Sequence, residues 1–215
     1  MSSDDALDPR VYPYRDDIAA DFLEGRVEAK AFVAGQEHRV GTASTPVMTK
    51  PDAGTLQASE LLFGEAFTVY EDASGWSWGQ CGHDGSVGYV PNDDLFHDHT
   101  EPTHWVTATR ARGYPDPKGE YPAALGLGFM ARVAVEGEEG DYARLASNGW
   151  MFAKHLAAIG DTRPDFTATA TMLSGVPYLW GGRGGLGIDC SGLIQVPLAA
   201  AGISVPRDSD QQAKP

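Results

Sequence analysis

Short β-like apolar runs dominate the middle of the chain, from about residue 41 to residue 160. Glycine, proline and aspartate bound these runs, two of which are Ala66-Phe67-Thr68-Val69-Tyr70 and Ala131-Arg132-Val133-Ala134-Val135. Runs of this length between turn-forming residues are typical of strands in small all-β units. The pattern therefore predicts short β-strands joined by tight turns over this region.

The β-rich region contains an internal repeat. Residues 88–95 read Gly-Tyr-Val-Pro-Asn-Asp-Asp-Leu, and residues 149–156 read Gly-Trp-Met-Phe-Ala-Lys-His-Leu. Both segments run from glycine and an aromatic residue through a short turn to leucine, and they begin 61 positions apart. That spacing suits one small β-barrel, so we predict two successive barrels with most of their aromatic side chains in the core.

The pattern changes on both sides of the β-rich region. Residues 1–40 form an acidic segment, in which weak periodicity over residues 16–34 predicts a helical arm. Beyond residue 164, the pattern predicts one helix over 166–173 and a second that begins near Cys190 and ends before Gly202. Pro197 lies inside the second helix and is expected to kink it without moving its first turn.

Composition excludes several classes of function. The net charge of −14 over 215 residues argues against nucleic acid and against an anionic membrane surface, because both attract clustered Lys and Arg. No apolar run reaches the length of a membrane-spanning helix, and the first residues lack the pattern of a secretory signal. Two cysteines, Cys81 and Cys190, do not make a disulfide scaffold. These features predict a soluble cytoplasmic protein.

The candidate chemistry lies at Asp189-Cys190-Ser191-Gly192, directly after a glycine-rich stretch. A cysteine at the start of a helix faces the positive end of the helix dipole, which favours the thiolate. Asp189 is suited to cap the helix, and neighbouring amides suit the oxyanion of an acyl intermediate. Cys81 has no such context, so we expect it to be structural.

Three successive segments resemble motifs of the NlpC/P60 cysteine peptidases, in that family's order. They are residues 177–182 (Pro-Tyr-Leu-Trp-Gly-Gly), 189–195 (Asp-Cys-Ser-Gly-Leu-Ile-Gln) and 206–212 (Pro-Arg-Asp-Ser-Asp-Gln-Gln). The two β-rich units resemble bacterial SH3-like domains. The resemblance implies an α+β fold, with two small SH3-like β-barrels followed by an incomplete papain-like α+β domain. The implied division is an N-terminal helical arm (1–40), two SH3-like domains (41–100 and 101–160) and the N-terminal part of a peptidase domain (161–215).

The same resemblance implies a reaction. NlpC/P60 peptidases hydrolyse bacterial cell-wall peptides through a cysteine thiolate and an acyl-enzyme, and Cys190 matches their nucleophile. Four residues match positions that line the substrate pocket, namely Asp189, Ser191, Tyr178 and Trp180. No metal and no organic cofactor is implied.

The arrangement of domains is similar to that of the branch that acts on released murein peptides. These enzymes cleave after γ-D-glutamate, next to a diamino acid, and require a free N-terminal L-alanine. In them an acidic residue of the first SH3-like domain helps to hold the substrate amine. Glu60 is our first candidate for this role, and Glu65 is the second.

One element of the family pattern is missing, because the family's catalytic histidine lies downstream of the cysteine helix. All six histidines here precede Cys190, namely His38, His83, His97, His99, His104 and His155. We therefore expect a C-terminally truncated chain that is inactive alone. Two alternatives stay open, a non-catalytic module that binds wall peptides and an acyl- or amidotransferase on the same thiol fold. A histidine beyond residue 215 would favour the peptidase, whereas a natural stop there would favour the binding module.

Overall fold

The computed structural model describes residues 7–97, 100–147 and 149–214. A short arm and a first β unit are followed by a second β unit and a third unit that contains the helices. None of the helices in the described part of the chain is long and apolar enough to cross a membrane.

The arm contains no α-helix within residues 7–34, so the helix predicted over 16–34 is wrong. Strand β1 (Ala19–Ala20) pairs in parallel with β2 (Phe32–Val33), and a 3-10 turn at Asp21–Leu23 follows β1. Gly25 adopts a φ of 78°, a conformation that ends a helical turn. Leu23 is fully buried, and Arg15 and Val11 of the arm hydrogen-bond to Tyr89 and Gln80 of the first unit, so tertiary contacts override the weak helical periodicity of the arm.

The first unit is a seven-stranded sheet in the order β5-β4-β8-β7-β6-β3-β9. Its strands are β3 (Gln36–Val40), β4 (Ser44–Met48), β5 (Gln57–Leu62), β6 (Ala66–Ala73), β7 (Trp76–Cys81), β8 (Val87–Pro91) and β9 (Leu95–Phe96). A 3-10 turn at Asn92–Asp94 joins β8 to β9. The core of this unit consists of buried apolar residues from alternate positions of the strands, namely Val40, Val47, Leu61, Phe67, Val69, Cys81 and Val90. Because β3 begins at Gln36, the first unit starts several residues before the predicted boundary at 41.

The second unit ends as the first does. Its strands are β10 (His104–Val106), β11 (Arg110–Tyr114), β12 (Leu125–Gly128), β13 (Arg132–Val133), β14 (Val135–Glu139), β15 (Tyr142–Leu145), β16 (Trp150–Phe152) and β17 (Leu156–Ala158). They form a five-stranded sheet, β12-β11-β16-β15-β14, and a three-stranded sheet, β13-β10-β17. A 3-10 turn at Ala153–His155 joins β16 to β17, so the repeat seen in the sequence is a repeat of strand, turn and strand.

The third unit contains the two predicted helices and a small hairpin. Its elements are α1 (Phe166–Met172), β18 (Arg183–Gly184), β19 (Gly187–Ile188), α2 (Cys190–Ala200) and α3 (Ser209–Gln212). Helix α2 continues past Pro197, and Gly202 follows it with a φ of 80°, as expected of a residue just after a helix. The α+β class that the sequence predicts is confirmed.

Helix α2 is positioned by contacts with the second unit. Trp105 and Phe129 stack edge to face with their ring centres 5.6 Å apart, and they share a buried cluster with Val196 and Ala200 of α2. The hairpin β18–β19 lies against β5 of the first unit. Both β units therefore help to fix the first turn of α2, where Cys190 lies.

Candidate active site

Cys190 is the first residue of α2, and it is exposed. Strand β19 ends two residues earlier, and Asp189 between them has the extended backbone of a helix cap. Its Oδ1 accepts a hydrogen bond of 2.7 Å from the amide of Gly192. Asp189 therefore caps α2, as the sequence predicts, with its carboxylate turned toward the helix backbone.

Arg207 holds the same carboxylate from the other side. Its two terminal nitrogens lie 3.1 Å from Oδ1 and 2.7 Å from Oδ2 of Asp189, and one of them donates to Oγ of Ser191 at 2.6 Å. Burial alone would raise the pKa of Asp189, but the hydrogen bonds from Arg207 and Gly192 hold it below its ordinary value. Nε of Arg207 also donates to Oγ of Ser59, at 3.1 Å, which ties this pair to strand β5 of the first unit.

Two backbone amides beside the thiol have no acceptor among the described residues, those of Cys190 and Ser191. The next two amides are already used, because Gly192 donates to the Asp189 carboxylate and Leu193 donates to the Asp189 carbonyl. Free amides at a helix start suit a developing oxyanion.

A cavity of about 520 Å³ opens beside the thiol, and we call it the Cys190 cleft. Five of the seven residues that the sequence places at the site line it, namely Tyr178, Trp180, Asp189, Cys190 and Ser191. The rest of its wall comes from Pro9 to Val11 of the arm, from Thr49, Leu56, Ala58, Ser86 and Val87 of the first unit, and from residues 207–211. A second, more open groove lies on the α1 side and shares Tyr178, Asp189 and Cys190 with the cleft. The thiol thus lies between two spaces that both open onto it.

The arm closes one end of the cleft through Arg10. This side chain donates to Asp208 at 2.8 Å, to Asp210 at 2.9 Å and to Asp8 at 2.7 Å. The hydrogen bonds that Arg10 donates to Asp210 and Asp8 raise the pKa of Arg10 above its ordinary range, so it is always a cation. The three carboxylates and one guanidinium leave this end of the cleft acidic.

Glu60 and Glu65 do not line the Cys190 cleft, so the structure does not place either of them where it could hold a substrate amine beside Cys190. Oε2 of Glu60 accepts from the amide of Arg183 at 2.8 Å. Glu65 is 3% exposed, and its carboxylate pairs with the Arg183 guanidinium at 3.0 Å. Both acids therefore connect the first unit to the hairpin β18–β19. The sequence does not indicate this contact, because Arg183 is 118 positions from Glu65.

No histidine among the described residues lines the cleft or the second groove. His38 stacks on His97 with their ring centres 4.0 Å apart, and His83 lies in the loop after β7. His104 and His155 belong to the second unit, whereas His99 lies outside the described residues. The expectation that none of the five described histidines serves Cys190 as a base agrees with this placement.

Sequence reasoning gave no role to Arg207, Asp208 or Arg10. The first two lie in the third motif, which was a signal that they belong near the cysteine. Arg10 gave no signal, because it lies 198 positions before Asp208 in the chain.

Comparisons with known proteins agree with this architecture. Residues 47–95 match the family model of the bacterial dipeptidyl-peptidase SH3 domain, and residues 175–215 match that of the NlpC/P60 family. A γ-D-glutamyl-L-lysine dipeptidyl-peptidase of Bacillus subtilis is 34% identical over 94 residues, which are 41% of this chain and 32% of that protein. An enzyme of the same name from Bacillus cereus is 29% identical over 187 residues, which are 76% of this chain and 56% of that protein. The chain thus spans a third to just over half of the length of these relatives.

Solved structures show the same fold. An NlpC/P60 family protein from Bacillus cereus superposes with a TM-score of 0.72 at 20% identity, over 83% of this chain and 76% of that one. An NlpC/P60 endopeptidase from Photobacterium damselae gives a TM-score of 0.57 at 19% identity, over 82% of this chain and 45% of that one. The chain therefore contains a bacterial SH3 domain and an NlpC/P60 domain, and it is homologous to the γ-D-glutamyl-L-lysine dipeptidyl-peptidases of Bacillus.

Proposed function

We propose that Cys190 is the nucleophile of a cysteine peptidase that hydrolyses bacterial cell-wall peptides. The observation that carries this proposal is the position of Cys190, exposed on the first residue of α2 between two cavities. The matches to the NlpC/P60 family and to the Bacillus peptidases support it.

The chemistry follows from the groups around the thiol. The thiolate attacks the carbonyl carbon of the scissile bond, and the free amides of Cys190 and Ser191 stabilise the oxyanion that forms. The intermediate then expels the amine of the leaving residue and leaves an acyl-enzyme, which water hydrolyses. The reaction also needs a base to take the thiol proton and an acid to protonate the amine. We propose that a histidine outside the described residues supplies both.

We further propose cleavage after γ-D-glutamate, next to a diamino acid, in peptides with a free N-terminal L-alanine. The names of the Bacillus relatives support the γ-D-glutamyl bond. The acidic end of the cleft supports an ammonium group there, and Asp208 fits that role better than Glu60 because it lines the cleft. A cytoplasmic location, with murein peptides as the partner, belongs to the same proposal.

The test uses the tripeptide L-alanyl-γ-D-glutamyl-L-lysine. We expect the 215-residue chain to bind it without turnover, as seen by a change in the fluorescence of Trp180, which is 57% exposed in the cleft. A longer form of the chain with a histidine after residue 215 should release lysine, and Cys190→Ala should abolish the release. Glu138→Gln, on the exposed strand β14, is the control and should retain it. Lysine release that survives Cys190→Ala, or the absence of any binding, would overturn the proposal.

A non-catalytic module that binds wall peptides is the second candidate function. The observation that favours it is the lack of any described histidine in the cleft. In that case every form of the chain binds the tripeptide, and no form releases lysine.

A further inference from the structure

We propose that Cys81, His83 and Asp84 form a binding site for Zn²⁺ in the first unit. Cys81 is the last residue of β7, and the other two lie in the loop that leads to β8. One donor atom of each residue lies within 4.8 Å of the other two. None of the three lines the Cys190 cleft, so this site is separate from the candidate active site.

The strongest indication is His83. Its side chain is only 8% exposed, and neither ring nitrogen has a hydrogen-bond partner among the described residues. Nε2 lies 2.8 Å from Oδ2 of Asp84, but the two atoms are not aligned for a hydrogen bond. Burying a polar atom without a hydrogen-bond partner costs free energy. His83 and Asp84 are close but do not point at each other, an arrangement that suits two ligands directed at one metal ion.

The charges in the cluster also call for a cation. Asp84 is 2% exposed at its side chain, and His83 is its one ion-pair partner among the described residues. The nearby Arg183 is committed to Glu65, at 3.0 Å. A buried carboxylate needs a compensating charge, which either a proton on His83 or a metal ion can supply.

Zinc fits this donor set better than Ca²⁺ or Mg²⁺, because thiolate and imidazole are ligands that those harder ions do not choose. On binding, Cys81 loses its thiol proton to water, while neutral His83 and ionised Asp84 donate electron pairs. Zn²⁺, one thiolate and one carboxylate then sum to zero charge. Donor atoms at about 2.0–2.3 Å from a tetrahedral zinc lie roughly 3.3–3.6 Å from one another, so Nε2 of His83 and Oδ2 of Asp84, now 2.8 Å apart, would move slightly apart to hold the ion.

The surroundings leave a path to the site and room for a fourth ligand. A cavity of about 240 Å³ reaches His83 and is also lined by Glu65, Arg183 and Gln195, which gives room for a water molecule and an entry path. Nδ1 of His83 lies 3.7 Å from Oε2 of Glu65, a suitable acceptor for the ring N–H that orients a zinc-bound histidine.

The site would join two units of the molecule. Nε2 of Gln195, on α2, donates to Oδ2 of Asp84 at 2.9 Å, so a metal held by Asp84 would fix the loop of the first unit against the helix that begins at Cys190. Its expected role is structural.

The test measures binding of Zn²⁺ by equilibrium dialysis, and of Co²⁺ by the charge-transfer absorption that a thiolate ligand gives. The 215-residue chain should bind one Zn²⁺, and His83→Ala should lower the affinity at least about tenfold. The matched control is Cys190→Ser, which leaves Cys81 as the sole thiol. It should keep both the zinc and the cobalt band, whereas Cys81→Ser should lose the band.

Three results would overturn the site. They are a wild-type chain that binds no Zn²⁺, a cobalt band that disappears in Cys190→Ser, and zinc affinity that does not change in His83→Ala. The Cys190→Ser chain keeps the test decisive even where Cys81→Ser or His83→Ala fails to fold.

Discussion

Asp189 shows how one side chain next to the nucleophile is held. Its two carboxylate oxygens accept from the amides of Gly181 and Gly192, from Ser191 Oγ and from Arg207. These hydrogen bonds hold the Asp189 carboxylate at the first turn of α2, so that it does not turn toward the sulfur of Cys190. Arg207 is a positioning residue for the first turn of α2.

Arg207→Ala should therefore destabilise the fold strongly. Arg207 and Asp189 are 3% and 9% exposed, and removing one partner of a buried ion pair costs about 3–5 kcal/mol. Arg207→Lys keeps the charge but not the forked geometry, so its loss of unfolding free energy should be intermediate. Urea unfolding measures both.

Arg10→Ala is the matched control for the Arg207 variants. Arg10 is 45% exposed, so its ion pairs should contribute less than about 1 kcal/mol. If Arg207→Ala lowers the free energy of unfolding no more than Arg10→Ala does, the Arg207–Asp189 pair does not stabilise the site. The labelling rate of Cys190 in Arg207→Lys separates positioning from stability alone, because only a displaced helix start changes it.

The two cysteines should differ in reactivity toward iodoacetamide. Cys190 is exposed at a helix start, whereas Cys81 is 1% exposed and burial raises its pKa well above the ordinary range. At neutral pH we expect fast labelling at Cys190 alone, followed by mass spectrometry of the intact chain. Cys190→Ser should remove the fast phase, and equal slow labelling of both thiols would contradict the prediction.

Residues close together in sequence were predicted better than residues brought together by the fold. Cys190, Asp189, Ser191, Tyr178 and Trp180 lie within 14 positions, and all of them line the cleft. Glu60 was proposed from a resemblance across units, and the fold turns it toward Arg183 instead. Which acid of a distant strand faces a cleft depends on how the units dock, and a local pattern does not contain that information.

Within single elements, the glycines of the hairpin β18–β19 are required because neighbouring atoms leave no room for side chains there. A Cβ on Gly185 would lie 2.3 Å from the carbonyl oxygen of Thr109, and a Cβ on Gly187 would lie 2.4 Å from Cβ of Leu179. Side chains cannot occupy these positions unless the hairpin moves away from Thr109 of the second unit and from Leu179 of its own unit.

Gly185→Ala should consequently destabilise the protein by about 1–3 kcal/mol, because the contact is with backbone that cannot rotate away. Gly126→Ala is the control, since no atom lies within 4 Å of its added Cβ. That variant should be neutral or slightly stabilising. Thermal unfolding compares the two, and an equal loss in both would show that the hairpin is not tightly packed.

The arm shows where prediction from pattern fails at this scale. Weak periodicity over residues 16–34 favoured a helix, yet the chain there forms two short strands and a single turn that bury Ala19, Ala20 and Leu23. Tertiary contacts decide the structure of a segment whose local preference is small. The helices at 166–172 and 190–200 were predictable because their caps, Asp165 and Asp189, are visible in the sequence.

For the whole molecule, ion pairs between units should make the free energy of unfolding depend on pH. Burial alone would raise the pKa of Glu65, but the charge of Arg183 and the hydrogen bonds from Arg183 and the Leu62 amide hold it below its ordinary value. The unfolded chain then binds more protons than the folded one near pH 4. The stabilisation is complete above about pH 4.3, the ordinary value for glutamate, and is lost as pH falls toward the folded pKa.

We expect the free energy of unfolding to be flat between pH 5 and 7 and to fall below about pH 4. Glu65→Gln should lower stability at neutral pH and weaken the dependence on acid, because that carboxylate no longer titrates. Glu138→Gln, on the exposed strand β14, should keep the wild-type profile. Identical pH profiles for all three chains would rule out Glu65 as a source of the effect.

The central claim is that Cys190 is the reactive thiol of a site for wall peptides, built from the arm, the first unit and the third unit. Its most direct test is a chloromethyl ketone made from L-alanyl-γ-D-glutamate, with the adduct mapped by mass spectrometry. We expect a single adduct, on Cys190, that is absent in Cys190→Ser and forms more slowly in the presence of the free tripeptide. An adduct on Cys81, or reaction at the same rate with a chloromethyl ketone of glycyl-glycine, would contradict it.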